Sequence, residues 1–484
     1  MSTDDPRHAP ARSNPPKPDA ASRPSPSSRD ALDDGMSRRS VLSMGAAITG
    51  GALLLGAPRT AQAQSAPRST RDWQRPGMPK RDYQPVVVPN GSKLPWKLVD
   101  GVKVFHLVAE EVEHTFAEGL KARCWGYNGR VHGPVIEAVE GDRVRIYVTN
   151  RLEAATTVHW HGLFIPSGMD GVGGLNQRAI RTGETFRYEF TLKQHGTFMY
   201  HSHHDEMTQM AMGMVGMIVI HPRKRVGPKV DRDFAIMLHE WKIEPGAERP
   251  DPNEMTDFNV LTMNAAVFPA TEPLVVQRNQ RVRLRFGNLS AMDHHPIHLH
   301  GYAFNVTETD GGRIPPAGQW PETTVLVPTG STRTVEFVAD APGDWAMHCH
   351  MTHHVMNQMG HDFTNMIGVD PRGLDAKVRK VIPGYMTMGQ TGMDMSAHAG
   401  HMKMPDNSIP MLGGKGPFDE ITMGGMFTIL KVRDRLSGYA DPGWYQPPAG
   451  TLATNAAASD LSRDGIDPLA PMAALPGSVD GLGG

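Results

Sequence analysis

The 484-residue sequence has only two cysteines, and its 49 Lys and Arg residues nearly balance its 51 Asp and Glu residues. Two cysteines cannot build a disulfide framework, which excludes the small disulfide-stabilised class of secreted domains. The formal net charge of −2 provides no excess of positive charge, so we expect no nucleic-acid partner. What the chain does contain is 23 His and 30 Met, which are both ligands of borderline or soft metal ions.

The first 64 residues do not have the composition of a folded domain. Residues 1–35 include seven Pro and six Ser without apolar periodicity, which predicts a disordered extension. An Arg-Arg pair at 38–39, an apolar run over 44–57 and the small-residue motif Ala-Gln-Ala at 61–63 predict a twin-arginine signal peptide. The alternative is a chance Arg pair before an N-terminal anchor, and translation starts either at the first residue or at Met36. We expect a periplasmic or secreted protein without a membrane span in the mature chain.

The central part of the chain has a sequence pattern typical of β-strands. Between about residues 83 and 370, short runs rich in Val, Ile, Thr and aromatic residues alternate with Gly, Pro, Asn and Asp. The clearest runs are Val144–Thr149, Phe186–Thr191, Met217–His221, Val282–Phe286 and Ser331–Phe337. No long stretch with helical periodicity competes with them. The pattern predicts an all-β protein built from β-sandwiches.

Four His-x-His motifs occur as two pairs. They are His159-Trp160-His161 with His201-Ser202-His203, and His298-Leu299-His300 with His348-Cys349-His350. The second pair follows the first after about 140 residues, which indicates that one module occurs twice. The basic, Pro-containing stretch Pro222–Val230 is the expected linker.

Residues i and i+2 of a strand point to the same face, so each motif directs two imidazoles to one place. A single His-x-His is more often a surface pair or a hydrogen-bonded core residue than a metal site. Four of them at repeating spacings instead predict that eight imidazoles bind metal.

The motif around Cys349 predicts a second kind of metal site. Cys349 lies between two of these histidines and therefore points to the opposite face of the strand. Together with His295, His354 and Met359 it supplies two imidazoles, a thiolate and a weak thioether, which are the ligands of a blue-copper site.

Two neighbouring histidines make the register of this site ambiguous. His294 adjoins His295, and His353 adjoins His354. The spacing His-Pro-x-His-Leu-His favours His295, and the three residues between His350 and His354 favour His354. We expect the neighbours to point away from the metal.

These motifs resemble those of the multicopper oxidases, the family of laccases, metallo-oxidases and copper-resistance oxidases. The resemblance covers roughly residues 85–370 and implies two cupredoxin-like Greek-key β-sandwich domains, 85–222 and 231–370, with four copper ions per chain. Beyond the resemblance, the composition predicts a Met/His-rich C-terminal extension at 371–451, one more strand at Phe427–Arg433 and a disordered tail at 452–484. The implied type 1 ligands are His295, Cys349, His354 and Met359; the type 2 ligands are His159 and His298; the type 3 ligands are His161, His201, His203, His300, His348 and His350.

The resemblance also implies two catalytic residues, Cys349 for electron transfer and Asp170 for proton delivery. Some members have a second carboxylate just after His-Cys-His, where this chain has Thr352, although Asp205 and Glu206 lie close in sequence to His203. The identity of the second proton donor therefore stays open.

The implied activity is the one-electron oxidation of a small reducing substrate coupled to the reduction of O2 to water. Only 91 residues separate His203 from His295, which leaves no room for a third domain and resembles the two-domain members. In those members the clusters lie between the chains of a homotrimer.

The natural reductant stays open between Cu(I) or another metal ion and phenols. Residues 386–426 contain nine Met, which form either a loop that gathers cuprous ions or a mobile filler. A copper nitrite reductase and a non-catalytic periplasmic copper-binding protein are the alternative functions. The eight histidines argue against the first alternative, and the Cys-centred connection between two metal sites argues against the second.

Overall fold

The computed structural model describes residues 75–358, 377, 380–381, 406–411 and 413–469. The expected extension and signal at 1–64, the ligand Met359 and most of the Met-rich segment lie outside these residues. Within the described part of the chain, no helix has the length and apolar character needed to cross a bilayer.

The first half of the molecule is a sandwich of two sheets. One sheet has the order β1-β2-β5-β7 with β3 paired to β2, and the other has the order β4-β9-β8-β6. The elements are β1 (Trp96–Val99), β2 (Val102–Ala117), β3 (Leu120–Tyr127), β4 (Ile136–Val139), β5 (Arg143–Asn150), β6 (His159–His161), a 3-10 turn (Ser167–Met169), β7 (Thr185–Thr191), β8 (Gly196–His201), α1 (Glu206–Ala211) and β9 (Val215–His221).

The second half repeats this architecture. Its sheets have the orders β11-β10-β13-β19-β15-β16, with β17 on β15, and β12-β23-β20-β14-β18; β21 and β22 form a separate hairpin. The strands are β10 (Arg232–Trp241), β11 (Val260–Met263), β12 (Leu274–Gln277), β13 (Arg281–Asn288), β14 (His295–Leu299), β15 (Phe304–Thr309), β16 (Gly312–Arg313), β17 (Trp320–Glu322), β18 (Thr324–Val327), β19 (Ser331–Val338), β20 (Gly343–Cys349), β21 (Gly414–Lys415), β22 (Glu420–Ile421) and β23 (Phe427–Arg433). The remaining elements are 3-10 turns at Pro316–Gly318 and Thr352–Val355, and α2 (Ala458–Arg463).

Buried and exposed residues alternate along the strands, and the buried ones form the cores. In β5, Val144, Ile146 and Val148 are buried, while Arg143 and Arg145 are half-exposed. This period of two places one face of the strand on the core and leaves the other partly solvated. The expectation of an all-β protein with two sandwich domains is confirmed, and all five strand segments named from the sequence lie within observed strands.

Three differences from the expectation concern local structure. Met207, Met210, Met212, Met214 and Met217 alternate partly as in a strand, but the first two lie in the short helix α1, and β9 starts only at Val215. Phe427–Arg433, predicted as one more strand, is β23, and because it pairs with β20 the second sandwich extends beyond the expected boundary at residue 370. The described part of the tail expected to be disordered forms α2, whose residues are mostly exposed.

Strands at the junction of the two halves are buried on both faces. In β8, Phe198 and Tyr200 point into the core of the first half, whereas Met199 faces the other way. In β10, Ile236 points into the core of the second half, and Met237 faces back. Met199 and Met237 belong to one apolar cluster, so the two sandwiches share a continuous buried contact.

A buried arginine reinforces this junction. Arg285 of β13 is 1% exposed, and its guanidinium donates to both carboxylate oxygens of Asp233, at 2.8 and 2.9 Å. It also donates to the hydroxyl of Thr197 in the first half, at 2.8 Å, and contacts Glu308 at 3.3 Å. A buried charge is tolerated when its donors are satisfied in this way, and here the partners come from both halves.

We predict that Arg285→Met destabilises the protein by about 3–5 kcal/mol, because it leaves buried Asp233 without its main partner. Arg278→Met is the matched control, since Arg278 and its partner Asp434 are both about half-exposed or more and such pairs contribute at most about 1 kcal/mol. Urea unfolding of both variants at equal chain concentration measures the difference. Equal losses would contradict a special role for Arg285.

Candidate metal centres

The first candidate centre lies in the second sandwich. β14 pairs with β20 so that Ile297 stands opposite Cys349, and the 3-10 turn after β20 returns His354 to the same place. The Nδ1 atoms of His295 and His354 are 3.2 Å apart, and Cys349 Sγ lies 3.9 and 3.5 Å from them. All three residues are buried, and their possible ligand atoms converge on one point.

On each of the two imidazoles, Nε2, the nitrogen that faces away from Cys349, contacts a polar side chain. Ser290 Oγ lies 2.6 Å from His295 Nε2, and a carboxylate oxygen of Asp293 lies 3.3 Å from His354 Nε2. Because the Asp293 carboxylate accepts a hydrogen bond from Nε2–H, the lone pair of His354 is left on Nδ1, facing Cys349. Glu240 accepts the backbone N–H groups of Met292 and Asp293, and thereby fixes the loop that carries these contacts.

Burial sets the protonation of this centre. It lowers the pKa of His295 well below its usual range, and the nearby His354 lowers it further, so the imidazole is neutral. Burial raises the pKa of the Cys349 thiol to about 12. Two imidazoles and a thiol that a soft metal would deprotonate form a donor set that fits copper. Glu240 is also affected, since burial raises its pKa to about 8.

The second candidate centre is a group of four histidines in the first sandwich, on β6, on β8 and just after β8. These strands pair with His159 opposite His201, and His161 Nδ1 lies 3.3 Å from His201 Nε2. The ring of His203 is centred 5.4 Å from that of His159. Four imidazoles therefore meet at one end of this sheet.

The third candidate centre is a group of four histidines in the second sandwich, on the face of β14 and β20 opposite to Cys349. His298 stands opposite His348, and the Nε2 atoms of His300 and His348 are 3.2 Å apart. The ring of His350 is centred 5.6 Å from that of His298. Because Cys349 belongs to the buried first centre, adjacent residues of one strand serve two sites.

Backbone carbonyls fix the tautomer of half of these histidines. In each case Nδ1–H donates to a carbonyl oxygen at 2.7–2.8 Å, and the lone pair is left on Nε2. The pairs are His159 with Asp170, His201 with Ser202, His298 with Thr323, and His348 with Cys349. Burial also lowers the pKa of His201 to about 3. Neutral imidazoles with outward lone pairs are the form that binds metal, so this set also fits copper.

The two groups of four remain separate within one chain. Among the described residues, the ring contacts between these eight histidines join only members of the same group. Each half thus presents its own group of four imidazoles.

Two carboxylates adjoin the group in the first sandwich. Asp170 Oδ1 lies 3.6 Å from His159 Nδ1. Glu206 Oε1 lies 3.5 Å from His201 Nδ1 and 3.7 Å from His203 Nε2. Sequence reasoning noted Glu206 only for its proximity to His203, because the left-handed turn at Asp205 (φ 49°) that directs it to the histidines has no clear sequence signal.

The structure resolves which histidine of each adjacent pair lies in the first centre. His294 is exposed, and its Nδ1 accepts the backbone N–H of Thr329, whereas His295 is buried in the first centre. His353 is exposed, whereas His354 is buried there. The expected axial ligand Met359 lies outside the described residues.

Comparison with known proteins agrees with this geometry. Two family models, both described as multicopper oxidase, match residues 108–225 and 244–368, which together make up about half of the chain. The chain belongs to the multicopper oxidase family. Copper is therefore its cofactor, and the three groups of ligands are the places on this chain whose donors fit that metal.

Several relatives are similar over part of their length. The chain is 39% identical over 126 residues to copper resistance protein A of Pseudomonas syringae pv. tomato, covering 26% of this chain and 20% of that protein. It is 31% identical over 227 residues to laccase-1 of Cryptococcus neoformans var. grubii, covering 41% of this chain and 36% of that protein. The chain thus spans well under half the length of these curated relatives.

The blue copper oxidase from Nitrosomonas europaea is similar in structure. It has a TM-score of 0.51 and 25% sequence identity, and the match covers 68% of this chain and 85% of that one. A multicopper oxidase termed mgLAC gives a TM-score of 0.52 at 25% identity, covering 69% of this chain and 87% of that one. The cupredoxin-like sandwich fold is thus shared with oxidases of this family.

Proposed function

We propose that this protein is an exported oxidase that couples the one-electron oxidation of a reducing substrate to the reduction of O2 to water. One observation carries the proposal: buried Cys349 lies in one candidate centre, while His348 and His350 on either side of it lie in another. A protein that only stores copper has no need of a covalent connection between two sites. When bound, copper would supply the one-electron oxidation at the first centre and the four-electron reduction of O2 at the site formed by the two groups of four histidines.

The residues of the chain hold and orient the ligands. Ser290 and Asp293 contact Nε2 of His295 and His354, and these contacts orient Nδ1 of both imidazoles toward Cys349. Asp170 holds His159 through its carbonyl and keeps a carboxylate within 3.6 Å of the same ring. O2 reduction consumes protons, and we assign their delivery to Asp170, with Glu206 as the second carboxylate in place of the acid that is missing at Thr352.

The separation of the two histidine groups supports an assembly in which chains complete each other's sites. His159, His161, His201 and His203 of one chain would meet the group from the second half of a neighbour. Such a contact joins different faces and repeats head to tail, and it closes into a ring when the rotation between neighbouring chains divides a full turn. We propose the homotrimer of the two-domain members, with the O2-reducing clusters between chains.

The sequence of residues 36–63 supports export by the twin-arginine pathway, which carries folded proteins, and hence a periplasmic or secreted location. The similarity to copper resistance protein A and the Met-rich segment favour Cu(I) as the natural reductant, with phenols as further substrates.

We predict that Cys349→Ser removes the intense visible absorption of the copper-loaded protein and abolishes oxygen uptake with both Cu(I) and a phenol, because serine supplies no thiolate. The matched control is Cys124→Ser, which changes the other buried thiol at a strand far in sequence from the ligands. The control should keep its colour and most of its activity. Oxygen uptake by Cys349→Ser near the wild-type rate would refute the proposed function.

We predict that two inactive variants regain activity when their chains are mixed. His161→Ala damages the first-half group and His350→Ala the second-half group, so each alone is inactive. In a co-assembled ring about one junction in four joins two intact halves, so we expect about a quarter of wild-type oxygen uptake. Mixing His161→Ala with His203→Ala, which damage the same half, should restore nothing. No recovery in the first mixture would show that each cluster forms within one chain.

The Met-rich segment tests the preference for Cu(I). Asn407 binds the backbone of Lys121, and Ile409 is buried in the core next to Phe116, so a deletion must stop before them. We predict that deleting 386–404 raises the Cu(I) concentration for half-maximal oxygen uptake several-fold but leaves phenol oxidation unchanged. Replacing its six methionines by Leu keeps the length and should have the same effect. An equal loss with both substrates would instead mean that the segment covers the electron-entry site.

A further inference from the structure

A buried carboxyl group contacts the loop that supports the first centre. Glu240, near the end of β10, is 1% exposed, and its Oε1 accepts the backbone N–H groups of Met292 and Asp293 at 2.6 and 3.3 Å. The side chain of Glu240 also forms a hydrogen bond with the side chain of Asp293. A carboxylate oxygen of Asp293 lies 3.3 Å from Nε2 of His354. Glu240 is therefore connected through Asp293 to an expected ligand of the first centre.

The contact between these two carboxyl groups requires a proton on one of them, because two carboxylates offer only acceptors. Glu240 Oε2 is closed off from solvent and meets no N–H or hydroxyl donor among the described residues. A charged oxygen is costly in such a position, whereas a protonated one needs only an acceptor. The side chain of Asp293, in contrast, is 35% exposed and accepts from His354. The proton therefore belongs to Glu240, and the negative charge belongs to Asp293.

The pKa of Glu240 agrees with this assignment. Burial raises this pKa, and the negative charge of Asp293 raises it further, to about 8, so that Glu240 is mainly neutral at neutral pH. Two carboxyl groups that meet in unequal surroundings commonly divide their roles in this way, with the buried one as hydrogen-bond donor and the other as anion.

The backbone of the loop is fixed without the O–H group of Glu240. Oε1 of Glu240 already accepts the two N–H groups, and the carbonyl oxygen of Asp293 accepts from Asn288 Nδ2 and from Thr329 Oγ1, both at 2.9 Å. A role that is confined to holding the backbone is therefore fulfilled by these four contacts. The remaining oxygen of Glu240 is available for the carboxylate of Asp293.

We propose that Glu240 is a positioning residue of the first centre, which donates a hydrogen bond from Oε2–H to the Asp293 carboxylate and thereby limits the negative charge that Asp293 places on the imidazole of His354. The inference rests on the proposed role of this centre in electron entry. A carboxylate on Nε2–H makes an imidazole a stronger donor to a metal ion, and a stronger donor favours the oxidised ion. Because Glu240 draws charge from that carboxylate, the reduction potential of the centre is kept higher.

The test is the reduction potential of the first centre, measured by redox titration of the visible absorption of the copper-loaded protein. Glu240→Leu removes the donor and should shift the potential to a more negative value. Glu240→Gln retains an N–H donor and a carbonyl acceptor and should keep the wild-type value. In an Asp293→Asn background, Glu240→Leu should cause no further shift, because the charge on which Glu240 acts is absent.

Glu137→Leu is the matched control for the loss of a buried carboxyl group. Glu137 is 6% exposed, accepts the backbone N–H of Val86 at 2.8 Å and contacts Nε2 of His221 at 2.7 Å, all within the first half. This variant should lose stability in urea unfolding but keep the wild-type reduction potential. A role of Glu240 that is only structural would give Glu240→Leu the same result.

An unchanged potential in Glu240→Leu, or an equal shift with and without the Asp293 carboxylate, would overturn the proposal. Copper-loaded wild-type protein without visible absorption and oxygen uptake would instead refute the proposed function. Infrared spectroscopy tests Glu240 independently of copper, and also if Glu240→Leu fails to fold. The difference spectrum between wild type and Glu240→Gln at neutral pH should contain the C=O band of a protonated carboxyl group, and the absence of this band would refute the proposed hydrogen bond.

Discussion

The pairing of β14 with β20 is the constraint on which both kinds of metal centre depend. Its register places His298 opposite His348 and Ile297 opposite Cys349, so successive residues of one strand face opposite sides. A shift by one residue would exchange thiol and imidazoles between the two sites. The apolar core beneath Ile297 fixes that register, because the same shift would expose its side chain. Packing of the sandwich thus determines the spacing between the two candidate metal centres.

The sequence was most informative where strand periodicity carries the signal. All five named strand segments and the grouping of the histidines follow from a period of two and from a repeat of about 140 residues. The sequence was least informative where partners lie far apart along the chain. Glu240 reaches the backbone of Asp293, 53 residues away, and His132 meets His239 across the junction of the halves. No local pattern distinguishes these contacts, nor does one predict that the strand at Phe427–Arg433 pairs with β20, since a long Met-rich segment separates the two strands.

The junction between the halves explains why the histidine groups stay apart in one chain. Met199 and Met237 pack together, and Arg285 binds Asp233 and Thr197, so the two sandwiches are held in one orientation. That orientation leaves each group of four imidazoles without the other. Rotation of one sandwich to bring them together would expose the apolar cluster and unpair the buried arginine. The contact between the halves is therefore compatible with the assembly between chains that we propose.

A buried junction of this kind also limits what can occupy it. His132 and His239 bring two imidazoles into an otherwise largely apolar contact between the halves. His239 Nδ1–H donates to the carbonyl oxygen of Leu289, and the next residue, Ser290, contacts His295 through its hydroxyl. The junction between the halves and the first candidate centre are therefore linked through one short stretch of backbone.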